Sequence, residues 1–353
     1  MNDFDYLNAR VRGMSTLLLT SDFYDQVLGA AADNVIVDAL LASSYAEEMR
    51  EALAARAGAP AAFAVEAAAR SSAHAAFAKV LAIAPPEPRR LLALQLNRWD
   101  VANIVALLRG KLAGAGPREV LAAVLPIGEL DEIQLGELAA EADVTNLADA
   151  LTTWKHAFAF ALRRAIRECR RQDDPVSLER ALYRAWFHWA LSQLSAEDPR
   201  VAPVRDILRR QIDLANVLAL LALIRDRERT GTTETYEPIP AGKLPERIAI
   251  ELAACDSLEG AFETLETTYF APGIEKGILA FGQARSLAVM ERFLEAVIVE
   301  QGCRLFRRDM LSIAVPLGFI WRKYSELVNL RLLARGAVYR MPANAMREGM
   351  VIV

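Results

Sequence analysis

The chain is poor in the residues that carry most chemistry. Its 353 residues include three cysteines and three histidines. Cys169, Cys255 and Cys303 stand far apart and form no C-x-x-C pair. A sparse, odd set of this kind suits buried thiols in a reducing compartment and excludes a disulfide framework. His74, His156 and His188 have no metal-ligand spacing and no companion ligand, so no metal is expected. The longest apolar runs, Leu214–Ile224 and Met310–Trp321, are interrupted and short of the roughly 20 residues of a spanning helix. The opening Met1–Arg10 has no basic stretch leading into an apolar core, so no secretory signal is read and a cytoplasmic protein is expected.

Catalytic constellations are missing as well. A phosphate-cradling loop needs spaced glycines and a Lys followed by Ser or Thr. Arg109-Gly110-Lys111-Leu112 fails at its last position and at the upstream glycine. Asp173-Asp174 is followed at 177 by Ser, and no second acidic cluster faces it, so magnesium-diphosphate chemistry has no ligands. No Ser-His-Asp or Cys-His set suggests itself. No cofactor is implied. The net charge of −4, from 41 basic and 45 acidic residues, offers no general attraction to nucleic acid or anionic lipid. Local basic runs, Arg163–Arg171 and Arg304–Arg308, read as solvated helix faces.

What the chain does have is helix-forming material and a long repeat. Apolar residues make up 54% of it, much of that alanine and leucine, and strand-type alternation is hard to find. An all-α fold is predicted. In Trp321–Arg335, read as a helix, Glu326, Asn329, Leu330 and Leu333 share one face. The same pattern stands at Asp213, Asn216, Val217 and Leu220, and at Asp100, Asn103, Ile104 and Leu107, with 113 residues between successive acids. Nine residues before each acid stand Leu91, Val204 and Leu317, and six before stand Leu94, Ile207 and Ile320.

A bare acid-x-x-Asn also occurs at Asp5/Asn8 and Asp143/Asn146, so the signal lies in the equal spacing and the apolar flanks. This period is too long for a solenoid of units of about 34–47 residues. It predicts three homologous helical units: 1–116, 117–230 and 231–353. An asparagine on a leucine stripe reads as structural, bonded to a neighbouring backbone.

Punctuation along the chain agrees. Helices are expected over Ser43–Arg56 and Ala61–Ile83, and Pro85, Pro86 and Pro88 then break the chain before the first repeated helix. That helix is expected to end at Arg109–Gly110, with glycine as its C-cap. Pro126-Ile127-Gly128-Glu129-Leu130 recurs 114 residues later as Pro240-Ala241-Gly242-Lys243-Leu244, followed by matches of Leu138 with Leu252 and Asp143 with Asp256. A helix is predicted over Thr152–Arg171, ended by Asp173-Asp174-Pro175, and another over Leu178–Leu194 whose Trp186, Phe187 and Trp189 are packing residues. Thr230–Thr233 reads as a polar linker and Ala271-Pro272-Gly273 as a soft spot before helices near 281–303 and 305–335. Val338–Val353 has little pattern.

The opening Asp5–Arg12, the three acid-x-x-Asn helices and the closing run Tyr324–Arg335 together resemble the C-type stalk component of prokaryotic V/A-type ATPases, the counterpart of the d component of the eukaryotic V-ATPase. The resemblance covers nearly the whole chain and departs from the family mainly over residues 43–84 and after Met341. It implies a pseudo-threefold funnel of three helical lobes with no active site of its own. It also implies a central-stalk rotor component on the cytoplasmic side of the membrane, set between the D- and F-type central shaft subunits and the membrane proteolipid ring. Arg209, Arg210, Arg322 and Lys323, three to four residues before the repeated acids, are candidate partner contacts. A generic helical adaptor and an all-helical enzyme with an unrecognised site stand as the alternatives.

Overall fold

The computed structural model describes residues 4–29, 35–55, 58–121, 124–168, 175–231 and 235–352. Among the described residues the regular structure is helical and no strand occurs. In chain order the helices are α1 (Asp5–Ser15), α2 (Ser21–Gly29), α3 (Val35–Leu41), α4 (Ala46–Ala55), α5 (Ala61–Ile83) and α6 (Pro86–Leu112). Then come α7 (Pro117–Leu121), α8 (Glu132–Ala140), α9 (Val144–Thr153), α10 (Ala159–Glu168), α11 (Pro175–Ser192) and α12 (Ala202–Thr230). The chain finishes with α13 (Glu246–Ala253), α14 (Leu258–Glu266), α15 (Ala271–Ala284), α16 (Leu287–Arg308), α17 (Ala314–Val338) and α18 (Ala343–Glu348). A 3₁₀ turn, Pro199–Val201, leads into α12.

The helices pack into two compact units, one formed by residues 1–73 with 202–353 and the other by 74–201. In the first, α16 lies against α15, α17 and α12, and α1 lies along α17. In the second, α10 and α11 pack together and α11 lies on α6. The repeated stripe is core in all three copies: each of its eighteen positions, from Leu91, Val204 and Leu317 to Leu107, Leu220 and Leu333, is buried. The helix α17 is covered on most of its circumference, so its apolar residues are spread round it rather than gathered on one face.

Of the described helices, α6 is long and apolar enough by length and composition to cross a membrane. Its most apolar window is 78% buried inside the protein and carries Asp100 and Asn103, as befits a core helix.

Several helix boundaries differ from the sequence-based expectation, each for a local reason. The helix α6 runs through Gly110 to Leu112. Gly110 lies within the last turn of α6, where a Cβ would overlap the Val120 side chain, and it is Gly114, at φ +71, that takes the left-handed turn. The expected Thr152–Arg171 helix is broken between α9 and α10. Lys155 adopts φ +56 while His156 N–H returns to Leu151 O at 3.0 Å, a helix-ending turn that the continuing aromatic pattern conceals.

Ala271-Pro272-Gly273 is the first turn of α15, with proline at a position that needs no N–H. Gly273 there lies against the Phe293 backbone, where a Cβ would come within 2.9 Å of its carbonyl oxygen. Asp173-Asp174, Cys169, Arg170, Arg171, Thr232 and Thr233 fall outside the described residues.

Candidate functional site

The three acid-x-x-Asn helices each grip a distant segment of backbone, and they do so by the same chemistry. In α6, Asn103 Nδ2 donates to Leu125 O at 2.6 Å and Leu125 N–H donates back to Asn103 Oδ1 at 2.7 Å. In α12, Asn216 bonds both polar groups of Ile239, at 2.9 and 2.8 Å. In α17, Asn329 does so with Val351, at 2.9 and 3.1 Å. The gripped residues lie 22, 23 and 22 positions downstream of their asparagines. An extended segment laid on a helix has no ladder partner for its N–H and C=O, and a primary amide, donor on one side and acceptor on the other, satisfies both.

The acid one turn earlier holds the next stretch of the same segment. Asp100 accepts from Glu129 N–H at 2.7 Å and Leu130 N–H at 3.0 Å. Asp213 accepts from Lys243 N–H at 2.8 Å, Leu244 N–H at 3.0 Å and the Tyr269 hydroxyl at 2.7 Å. Close approach of backbone to carboxylate explains the recurring glycine: a Cβ on Gly128 would overlap the Asp100 carboxylate, and one on Gly242 would overlap that of Asp213. Burial pushes Asp100 up to about 7 and raises Asp213, in each case against the opposing pull of the backbone N–H donors.

The third acid is filled from elsewhere. Glu326 accepts from Leu19 N–H, near the start of the chain, and also from Tyr45 Oη and Lys323 Nζ, both at 2.8 Å. Lys323 completes the triangle with a 2.8 Å bond to Tyr45 Oη. Glu326 and Asn329 thus gather the N-terminal segment and the C-terminal Val351 onto one helix. The tail is therefore tied down at Val351, where Ser325 Oγ also donates to Val351 O at 2.6 Å.

Further likenesses follow the clasps. Lys111 Nζ donates to the carbonyls of Ala139, at 3.0 Å, and Glu141, closing the end of α8. Arg227 does the same for α13 through Ala253 O and Cys255 O, at 3.3 and 3.1 Å. Asp143 caps α9 through Asn146 N–H, and its structural counterpart is Ser257, capping α14 through Gly260 N–H, rather than the neighbouring Asp256. Of the stray acid-x-x-Asn pairs, Asp143/Asn146 is this cap, while Asn8 Nδ2 donates to Met310 O and Ser312 O, both at 3.1 Å.

The four cationic candidates are placed unequally. Arg209 donates to Gly242 O at 2.8 Å and to Ala241 O at 3.2 Å, bracing the second clasp. Arg210 stacks over the Tyr269 ring at 4.6 Å. Arg322 lies over Phe306 at 5.0 Å, half-buried. Lys323 is only 5% exposed and its ammonium is engaged by Glu326 and Tyr45, which withdraws it from any surface. Sequence reasoning found the six clasp residues but not what they hold. The matched Pro126–Leu130 and Pro240–Leu244 segments were the available signal. Among the described residues no group of acid, His and Cys side chains is arranged to hold a metal.

Known proteins match the chain over nearly its full length. The ATP synthase (C/AC39) subunit family matches residues 7–349. The chain is 28% identical to the C-type component of the V-type ATP synthase of Deinococcus radiodurans, over 98% of this chain and 91% of that protein. It is 26% identical to the C-type component of the V-type ATP synthase of Thermus thermophilus over 99% of both, and 24% identical to that of the A-type ATP synthase of Methanosarcina barkeri over 100% and 94%. With a match that begins two residues into α1 and ends two residues before Val351, the chain belongs to the ATP synthase (C/AC39) subunit family.

Proposed function

We propose that this chain is the non-catalytic rotor hub of a V/A-type rotary ATPase, coupling the central shaft, made of D- and F-type subunits, to the membrane proteolipid ring in ATP-linked proton or sodium transport. It works on the cytoplasmic side as a peripheral component without a span of its own, and it binds no nucleic acid. Its architecture is three helical units, 1–116, 117–230 and 231–353, disposed as a pseudo-threefold funnel.

The observation that carries the reading is the thrice-made clasp, whose third copy takes its backbone from the beginning of the chain. A part that passes torque between two bodies must resist deformation. Buried amide and carboxylate anchors, every one with its backbone partner, lock each long helix to the segment it holds. Helix order supports it too, since five helices ending in a long clasp helix recur as α2–α6, α8–α12 and α13–α17. Arg209, Arg210 and Arg322 remain the candidate partner contacts among the cations.

The test is recovery of a tagged chain from detergent-solubilised membranes of the source organism. Co-purification of nucleotide-binding head subunits, shaft subunits and the proteolipid ring is the expected outcome. Recovery of the chain alone, or with unrelated proteins, refutes the assignment.

A further inference from the structure

Beside the third clasp lies a cavity of about 350 Å³, walled by Leu19, Thr20 and Ser21, by Tyr24, by Arg307 and Arg322, and by the clasp side chains. Its chemistry is that of an anion site. Leu19–Ser21 lead into α2, whose first-turn N–H groups have no partner within the helix and carry the positive end of its dipole, and the acid of that turn, Asp22, is not part of the cavity wall. Arg307 and Arg322 present two like charges to one space, and their mutual repulsion adds to burial in lowering the Arg322 pKa. Among the described residues Arg307 has no acidic side chain within ion-pair distance.

The Tyr24 side chain, 2% exposed, also faces this cavity, and its hydroxyl is beside Asn329 without closing a hydrogen bond. A buried hydroxyl left without an acceptor is costly, and an anion in the cavity supplies the acceptor. The one carboxylate in the wall, Glu326, is hydrogen-bonded by Lys323, Tyr45 and Leu19 N–H and also acts on Arg322, so Arg307 is the wall cation that it leaves for an incoming anion.

We infer that this cavity binds a phosphate-type oxyanion, held by Arg307, Arg322, the start of α2 and the Tyr24 hydroxyl. The inference is independent of the rotor assignment. An ion there ties α2 to α16 and α17 across the junction where the N-terminal segment meets the third clasp. The volume is at the small end for ligand sites, which suits free phosphate or the phosphoryl end of a small phosphomonoester.

Isothermal titration of the full chain with inorganic phosphate, at constant ionic strength against a chloride reference, is the test. Saturable binding is expected. Arg307→Gln, at an exposed side chain whose loss leaves the fold intact, weakens it by roughly 10- to 100-fold, as for a lost hydrogen bond to a charged group. Tyr24→Phe weakens it about tenfold by the same reckoning. Arg304→Gln, at a residue that pairs with Glu300 and is absent from the cavity wall, binds like the parent. In a second arm, competition by adenosine monophosphate distinguishes the source: displacement tighter than phosphate assigns a phosphomonoester, weaker displacement assigns the free ion. No saturable signal above chloride, or an Arg307→Gln protein that binds phosphate like the parent, overturns the inference.

Discussion

Removing the three clasp asparagines one at a time separates the clasps energetically, because they strand different numbers of backbone groups. Asn103→Ala strands only Leu125 N–H, since Ile127 N–H still donates to Leu125 O at 2.8 Å. At roughly 1–3 kcal/mol for each buried group left unsatisfied, the loss is about 1–3 kcal/mol. Asn216→Ala strands the two groups of Ile239 and also removes an acceptor of the Tyr236 hydroxyl, so it costs more, about 2–6 kcal/mol. Asn329→Ala strands only Val351 N–H, since Ser325 Oγ still donates to Val351 O, and costs about 1–3 kcal/mol.

Chemical denaturation followed by circular dichroism, read as midpoint shifts against the parent, gives the order Asn216 > Asn103 ≈ Asn329. Adding Ser325→Ala to Asn329→Ala then removes the reserve donor and brings the third clasp level with the second. Equal midpoints for Asn216→Ala and Asn329→Ala, or no further loss from Ser325→Ala, would refute the account of the amide as the satisfier of both groups of one residue. Asn→Asp at any of the three keeps the acceptor and deletes the donor, placing a charge against a carbonyl, and destabilises at least as much as alanine.

Gly128→Ala and Gly242→Ala force a methyl into the carboxylates of Asp100 and Asp213 and lower stability in chemical denaturation by about 1–3 kcal/mol, whereas Gly136→Ala, inside α8 with open space around it, raises it by about 0.5–1 kcal/mol. Asp100 is held up to about 7 in the fold from an ordinary value of 3.8, so the stability it contributes as a protonated group is full below pH 3.8 and drains away as pH rises through 7. Denaturation across pH 4–8 therefore shows the parent losing about 4 kcal/mol relative to Asp100→Asn, and a flat difference contradicts it. Lys323→Met leaves Glu326 buried without its counter-charge and costs about 3–5 kcal/mol, and adding Glu326→Gln recovers part of that loss in a thermal-melt double-mutant cycle.

Fold class and the clasp helices were legible because both are local: alanine and leucine set the helices, and the acid, amide and leucines mark one face at fixed spacing. What the amides hold was not legible, although the Pro126–Leu130 and Pro240–Leu244 likeness was in plain view. An amide that grips backbone does not constrain the side chain of the gripped residue, so Leu125, Ile239 and Val351 carry no common polar mark. Only Gly128 and Gly242 betray the contact, through the Cβ they cannot have. The break at Lys155 was hidden for a related reason. A backbone turn made by a lysine in the left-handed region leaves no glycine or proline behind, and Trp154 and Phe158 continue the apolar period across it.

The third clasp differs from the others in a way that its task accounts for. Asp100 draws backbone from 29 and 30 residues away, whereas Glu326 draws Leu19 from 307 residues away. Taken alone, closing the longer loop costs about 2 kcal/mol more, because the entropic term grows as the logarithm of length. The extra ties are found where that cost falls. Glu326 receives a lysine ammonium and a tyrosine hydroxyl beside the backbone N–H, while the first acid receives backbone alone.

The longer side chain also removes the steric need that Asp100 imposes on Gly128. Glutamate adds a methylene between helix and segment, and the segment it holds, Leu17-Leu18-Leu19, has no glycine. The exchange of aspartate for glutamate at the last repeat and the absence of glycine from the N-terminal segment are therefore two sides of one substitution. It lets α17 hold the beginning and the end of the chain with one acid and one amide a single turn apart.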